Sequence, residues 1–408
     1  MRLPLRHRCR SGVEDGFGLF QPSEPLMTSA SDGATARRTR WEWTSGPHPH
    51  RLGLRHLRSI AGIGSKGPHL SLAPRIAVLG DCNIDAWFLV TALPAWGHVT
   101  MSESTQLLAG GKGLNSALAC AHMGADVTLL SVIGDDAWGS VLRTQILALT
   151  EAVEFGASSG GTSGSLETDF LLTVQAPTPV CGVLTNEKRD PAYIGTKRLT
   201  HWNSVRSIEP WTAALTECNA LVVSLEPPLA ILTEAIAIAK RAGALIIMNP
   251  GPPPRSGLEY RETVSLLDRV DVILPNPWEA RQLLAHRKSE TDSSMAMAHS
   301  LSAMLDPTHI AMACVVRSRV GFDAVYREPK SKQMHEFRRG LVPFSADAVG
   351  QGDAFAAGVA IELLAQSSPE RAMTVGRAAA SVAIRKPGAA SAMPSRMDVD
   401  AMLRRETG

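Results

Sequence analysis

An α/β fold, with a mostly parallel central sheet covered on both faces by helices, is what this 408-residue sequence predicts. Three observations carry the prediction. Short apolar runs of strand length recur at residues 76–79, 127–132, 220–224, 244–248, 270–274 and 311–316, and they are continuous rather than alternating. Helical patterns separate them, most clearly at 116–123 and 229–242. Polar residues follow the runs: Asn83 and Asp85, Glu226, Asn249 and Asn276 each stand just past a strand. Ligands of such sheets bind at the carboxyl ends of the strands.

Taken in order, residues 1–73 come first and differ in composition from the rest. They hold Arg2, Arg6, Arg8, Arg10, Arg37, Arg38, Arg40, Arg51, Arg55 and Arg58, with Pro, Ser, Gly and His between them. This reads as a disordered basic extension, as an organelle transit peptide, or as an upstream start codon. Glu14, Asp15 and Glu24 count against the transit peptide, and the absence of an apolar run after the early arginines counts against a secretory signal. The strand at 76–79 opens the main domain, expected to span 74–404. Residues 87–109 and 161–196 break the strand–helix alternation with short extended-looking runs rich in Thr, Val, Pro and Gly. The remaining strands and helices alternate to the end.

Composition excludes several functions. Net charge is +2, so neither nucleic acid nor anionic membrane is an expected partner. No apolar stretch approaches the ~20 residues of a membrane-spanning helix. The six cysteines lack metal-type spacing and read as buried free thiols of a reducing compartment, so a cytoplasmic location is expected.

The most informative stretch is Asp347-Ala348-Val349-Gly350-Gln351-Gly352-Asp353, ahead of an apolar helical segment at 359–364. Glycines let a backbone approach a ligand closely. The first N–H groups of a helix have no partner inside it and carry partial positive charge, which suits a phosphate or a developing oxyanion. Asp353 stands where an acid can take a proton from an attacking hydroxyl. The plainer reading is a Gly-rich turn whose aspartate caps the helix.

A second run, Gly110-Gly111-Lys112-Gly113-Leu114-Asn115, lies between the strand with Asn83 and Asp85 and the run ending Gly134-Asp135-Asp136. With Leu225-Glu226-Pro227, Asn276-Pro277-Trp278-Glu279 and the Asp347–Asp353 stretch, these segments resemble, in order, the ribokinase-like (PfkB) carbohydrate kinases across roughly residues 74–404. The resemblance implies a ribokinase-like three-layer sandwich with a small β-sheet lid made by residues near 87–109 and 161–196. It implies an ATP-dependent kinase using Mg²⁺, with K⁺ as a further cation, and a homodimer formed through the lid.

By the same resemblance, Asp353 is the base, and the N–H groups of Gly350, Gln351 and Gly352 form the anion hole. Asn83, Asp85, Gly111, Lys112, Asn115 and Glu226 would bind the sugar, with Gly110 and Gly111 as a hinge. Plainer readings are an Asx turn for Asn83 and Asp85, a turn residue for Glu226 and a first-turn helix acid for Glu279. Asn276, Glu279, Arg317, Ser318 and Gly321 would serve the nucleotide. Asp347 and the Val349 carbonyl would hold the monovalent cation. The chain departs from the family at Ala348, Gln351, Ser318 and Ala392. It also lacks the usual Gly-Ala-Asn after Thr185. The expected activity is a sugar kinase of ribokinase type acting on a pentose. The rivals are a kinase for a ketose, sugar acid or nucleoside, and a non-catalytic binder of sugar or nucleotide. A dinucleotide oxidoreductase is a poor rival because no Gly-x-Gly-x-x-Gly follows the first strand.

Overall fold

The computed structural model describes residues 73–158, 164–188, 190–195, 200–251, 257–285, 293–305, 310–317, 321–328, 333–340 and 349–407. These belong to one of the chain's two units, residues 70–408. The leader as far as residue 72, Ser318 and Asp347 lie outside the described residues.

The chain opens with β1 (Arg75–Leu79), β2 (Asn83–Leu89), β3 (Ser104–Gly110), α1 (Lys112–His122), β4 (Asp126–Gly134) and α2 (Ala137–Ser158). Four short strands follow, β5 (Ser165–Glu167), β6 (Leu171–Val174), β7 (Val180–Thr185) and β8 (Pro191–Ile194). Then come α3 (Thr212–Glu217), β9 (Ala220–Val223), α4 (Leu229–Arg241), β10 (Leu245–Met248), α5 (Gly257–Leu266), β11 (Val272–Ile273), α6 (Pro277–Leu283) and α7 (Ser294–Ser302). The last are β12 (Ala311–Arg317), β13 (Gly321–Arg327), β14 (Met334–Gly340), α8 (Gln351–Leu364), α9 (Pro369–Ala383) and α10 (Arg396–Thr407).

Ten strands form one sheet in the order β14-β13-β12-β11-β10-β9-β1-β4-β5, with β6 also on β4. Its strands from β12 to β5 pair in parallel, and β13 and β14 close one edge antiparallel. Side chains alternate between two cores. Ile76 and Val78 face α1, α8 and α9, whereas Ala77 and Leu79 face α3, α4 and α7. The same parity holds in β4, β10 and β12. A strand buried on both faces has no polar side, which is why these segments are continuously apolar in sequence. Among the cysteines, Cys82 and Cys120 are buried free thiols, and burial pushes both up to about 12.

The lid is a four-stranded sheet, β3-β2-β7-β8. It begins at Asn83 rather than near residue 87, because Asn83 already pairs with Gly110. The segment expected at 161–196 divides. β5 and β6 extend β4 in the large sheet through Leu166 and Leu171, which are buried in its core, and only β7 and β8 join the lid. The outer edge of β3 is met by Gln145 of α2, whose amide accepts from Ala109 N and donates to Leu107 O at 3.1 Å. One side chain thus takes the place of a neighbouring strand beside the Gly110–Gly111 turn.

Candidate active site

The carboxyl ends of β1, β9, β10 and β11 and the amino ends of α1 and α8 bring the polar residues together. The first turn of α8 supplies Asp353, which is buried at 3% exposure. Its Oδ1 accepts from Asn249 Nδ2 at 2.6 Å and from Lys112 Nζ at 3.2 Å. Its Oδ2 accepts from Asn115 Nδ2 at 2.9 Å. Lys112 Nζ also donates to Asn249 Oδ1 at 3.0 Å. Lys112 and Asn115 are three residues apart near the start of α1, so both reach the same carboxylate.

Lys112 stands in the first turn of a helix, where a cation is disfavoured by roughly 0.3–1 kcal/mol. Burial alone would push its ammonium down. The carboxylates of Asp353, Glu279 and Glu226 outweigh burial and hold it above its ordinary value. The sequence reading put Lys112 with the sugar, whereas the structure joins it to Asp353. Asn249, read only as a residue past a strand, is the hub that orients both.

Gly350 caps α8 with φ +75°, a left-handed conformation that a side chain would strain, and a Cβ there would lie 2.6 Å from the Met393 methyl. Gly352 differs. Among the described residues a Cβ there meets only Asn249 Oδ1, at 3.7 Å. Gln351 is buried at the helix start. The helix begins here, eight residues before the segment read as helical.

From the lid, Asn83 Nδ2 donates to Asp85 Oδ1 at 2.6 Å, and both are buried. Burial pushes the Asp85 carboxyl up to about 7, against the Asn83 hydrogen bond and with help from the charges of Asp353 and Asp81. Burial likewise pushes Glu226 up to about 7, opposed by Lys112. Both carboxyls hold their protons to higher pH folded than unfolded. Each therefore contributes stability that is complete below the unfolded carboxylate range and is lost as pH rises through about 7. Two buried oxygens here, Asn115 Oδ1 and Glu226 Oε2, have no hydrogen-bond partner among the described residues. Gly111 has φ +100° and runs tight against the Asp81 carbonyl, which fixes the turn between lid and α1.

On the other side, Asn276 and Glu279 form a capping box on α6. Glu279 N donates to Asn276 Oδ1, and Asn276 N donates to Glu279 Oε2, both at 2.9 Å. Glu279 thus stands as an acid in the first turn of α6, and its charge still reaches Lys112. Burial raises its carboxyl above the usual range. Arg317 ends β12 with its Nε 3.4 Å from Asp323 Oδ2, and Gly321 opens β13 with φ +133°. Val349 packs under the lid with Trp87, Val183 and Ala389. The sequence reading missed Asp81, His201 and Trp202. Asp81 Oδ1 lies 2.9 Å from His201 Nε2 and 3.2 Å from Trp202 Nε1.

The arrangement pairs one buried carboxylate, at a helix amino end, with a cation and two amides. It can take a proton from a hydroxyl beside an anion. Comparison with known proteins agrees. The pfkB family carbohydrate kinase pattern matches residues 73–150 and 162–396. Ribokinase of Haemophilus influenzae is 26% identical over 324 residues, covering 79% of this chain and 96% of that protein. Ribokinase of Arabidopsis thaliana is 23% identical over 337 residues, covering 81% and 82%. Among solved structures, Thermotoga maritima ribokinase aligns with a TM-score of 0.62 at 21% identity, covering 81% of this chain and 99% of that one. Arabidopsis thaliana ribokinase complexed with ribose and ATP aligns at 0.60 and 23%, covering 82% and 99%. The chain belongs to the pfkB family of carbohydrate kinases and is an ATP-dependent sugar kinase.

Proposed function

We propose that this kinase transfers the γ-phosphoryl group of ATP to the primary hydroxyl of a pentose, with D-ribose as acceptor and ribose 5-phosphate as product. The observation that carries the reading is the Asp353 carboxylate, held by Lys112, Asn115 and Asn249 at the amino end of α8. The names and coverage of the Haemophilus and Arabidopsis relatives support ribose over a ketose, sugar acid or nucleoside.

In this reading the acceptor hydroxyl oxygen bonds to the γ-phosphorus as the bond from that phosphorus to the β–γ bridging oxygen breaks. ADP leaves, and the hydroxyl proton passes to Asp353. Backbone N–H groups at the start of α8 face the charge that develops on the phosphoryl oxygens, and Lys112 adds a cation there. Asn83, Asp85, Asn115 and Glu226 orient the acceptor hydroxyls, with amide and carboxylate groups that suit a polyol. Among the described residues no group of three His, Cys, Asp or Glu converges on a metal position. That suits Mg²⁺, which takes most of its ligands from phosphates and water. Glu279 would hold those waters, and the ion would neutralise charge on the β- and γ-oxygens. K⁺ at Asp347 and the Val349 carbonyl belongs to the same proposal.

The lid is also the proposed homodimer face. Leu107, Tyr193 and Ile194 are exposed on it, as are Trp96, Val99 and Met101 between β2 and β3. No helix among the described residues is long and apolar enough to cross a membrane. A cytoplasmic location, or an organelle reached through the basic leader, is proposed.

The test is ADP release from Mg-ATP with ribose, deoxyribose, fructose, sugar acids and nucleosides, with and without K⁺. D-ribose is expected to give the fastest release. Faster release with a nucleoside or a sugar acid would replace ribose as the acceptor, and silence with all of them would favour a non-catalytic binder.

Asp85 should also leave a mark on the pH profile. Its ionised form accepts from two hydroxyls, so the acceptor KM is expected to fall as pH rises through about 7. Asp85→Asn should flatten that dependence. An acceptor KM that does not change across this range in the unaltered protein would remove the ionised carboxylate from acceptor binding.

A further inference from the structure

Four segments carry the chain between the ten-stranded sheet and the lid. They are residues 80–82 into β2, 110–111 out of β3, 175–179 into β7, and the stretch after β8, described again from residue 200. Asp81 touches three of them. It lies within the first. Its carbonyl oxygen accepts from Gly113 N at 3.0 Å and from Leu114 N at 3.4 Å, and Gly111 packs directly on it. Its carboxylate reaches the fourth, where Oδ1 meets His201 Nε2 and Trp202 Nε1.

All three side chains are buried, His201 and Trp202 at 1% and Asp81 at 5%. Trp202 stands edge-on to Trp211, ring centroids 6.0 Å apart, in the core that faces α3 and α4. The anchor therefore belongs to the body of the fold, and the anchored segment leads into the lid. A buried carboxylate is costly unless it is hydrogen-bonded. His201 and Trp202 meet that cost and tie the turn to the segment after β8. Asp81 makes no hydrogen bond, among the described residues, to Asn276, Glu279 or α8. Among the described residues its hydrogen bonds go to the start of α1 and to His201 and Trp202.

We propose that Asp81, held by His201 and Trp202, is a positioning residue for the acceptor: it fixes three lid crossings against one another and so sets where Asn83 and Asp85 meet the acceptor hydroxyls. The proposal rests on the assignment of Asn83 and Asp85 to the acceptor, and the experiment separates the two.

The experiment is steady-state kinetics of the full chain with Mg-ATP and D-ribose, for His201→Leu, His201→Gln, Trp202→Phe and Asp85→Asn, each with a thermal melt. His201→Leu is expected to raise the ribose KM about tenfold while the ATP KM stays unchanged. His201→Gln, whose amide N–H can stand in for ring Nε2, should recover most of that loss. Trp202→Phe removes one donor and keeps an aromatic ring, with some loss of packing that the melt reports, and should give a smaller rise in ribose KM alone. The proposal is overturned by a native-like melt with an unchanged ribose KM in His201→Leu, or by ribose and ATP KM values that rise together. Should His201→Leu not fold, Trp202→Phe decides, and an unchanged ribose KM there overturns it. Asp85→Asn reports on the underlying assignment. If Asp85→Asn leaves ribose KM unchanged, the assignment of Asn83 and Asp85 fails. If it raises ribose KM while His201→Leu does not, only the role of Asp81 fails.

Discussion

Asp353→Asn is expected to lower acceptor-dependent ADP release by about 10²–10⁴-fold, the range over which a positioned base contributes. Acceptor binding should survive. Asparagine keeps the size of the side chain and one oxygen, which can still accept from Lys112 and Asn249 as Asp353 Oδ1 does now. The new amide N–H₂ would face Asn115 Nδ2, donor against donor. Asn115 relieves this by turning its amide, because its Oδ1 has no partner among the described residues and can accept. Calorimetry of ribose binding alongside the coupled ADP assay separates lost chemistry from lost binding. Turnover at the unaltered rate would remove Asp353 from the mechanism.

Lys112→Met is expected to lower kcat by about 10²–10³-fold, as for loss of one group that stabilises transition-state charge. Three carboxylates, those of Asp353, Glu279 and Glu226, act on this ammonium, and Asn249 Oδ1 accepts from it. Without it Glu226 and Glu279 lose the charge that opposes their burial, and both carboxyls should hold protons to still higher pH. The negative charge left around Asp353 would also repel the triphosphate, so the ATP KM should rise with the fall in kcat. Lys112→Arg should not restore activity, since a planar guanidinium cannot place one point charge between Asp353 and Asn249. Steady-state kinetics of both variants check this, with thermal melts to establish folding. A kcat within about twofold of the unaltered enzyme in Lys112→Met would show the lysine to be a structural ion pair.

Much of the sheet was legible because burial on both faces writes a strand as an unbroken apolar run. β1, β4, β9, β10 and β12 all follow such runs. α8 was legible only in its second half. It is buried nearly all round, so it has no polar face to set a period, and its first turn is built of Gly352, Asp353 and Gln351. β5 and β6 were hidden for another reason. They have three and four residues, and their place beside β4 is decided by Leu166 and Leu171 reaching a core that local sequence does not reveal.

The site divides the same way. Gly350, Gln351, Gly352 and Asp353 are contiguous in sequence, so their pattern is local. The partners of Asp353 are not. Lys112 meets it across 241 residues and Asn249 across 104. That Lys112 meets the Asp353 carboxylate follows only from the packing of α1 on α8. Nothing in the local sequence around His201 and Trp202 marks them as partners of Asp81, because they follow a lid strand in a segment without regular pattern.

In the proposed reaction a phosphoryl group passes from ATP to an acceptor hydroxyl whose proton Asp353 takes. Phosphorus NMR of the products from Mg-ATP and D-ribose tests it most directly, run in parallel on the unaltered protein and Asp353→Asn. A new phosphomonoester signal is expected, equal in amount to the ADP formed and absent with Asp353→Asn. ADP accompanied only by inorganic phosphate, or the same ester formed at the same rate by Asp353→Asn, would contradict it.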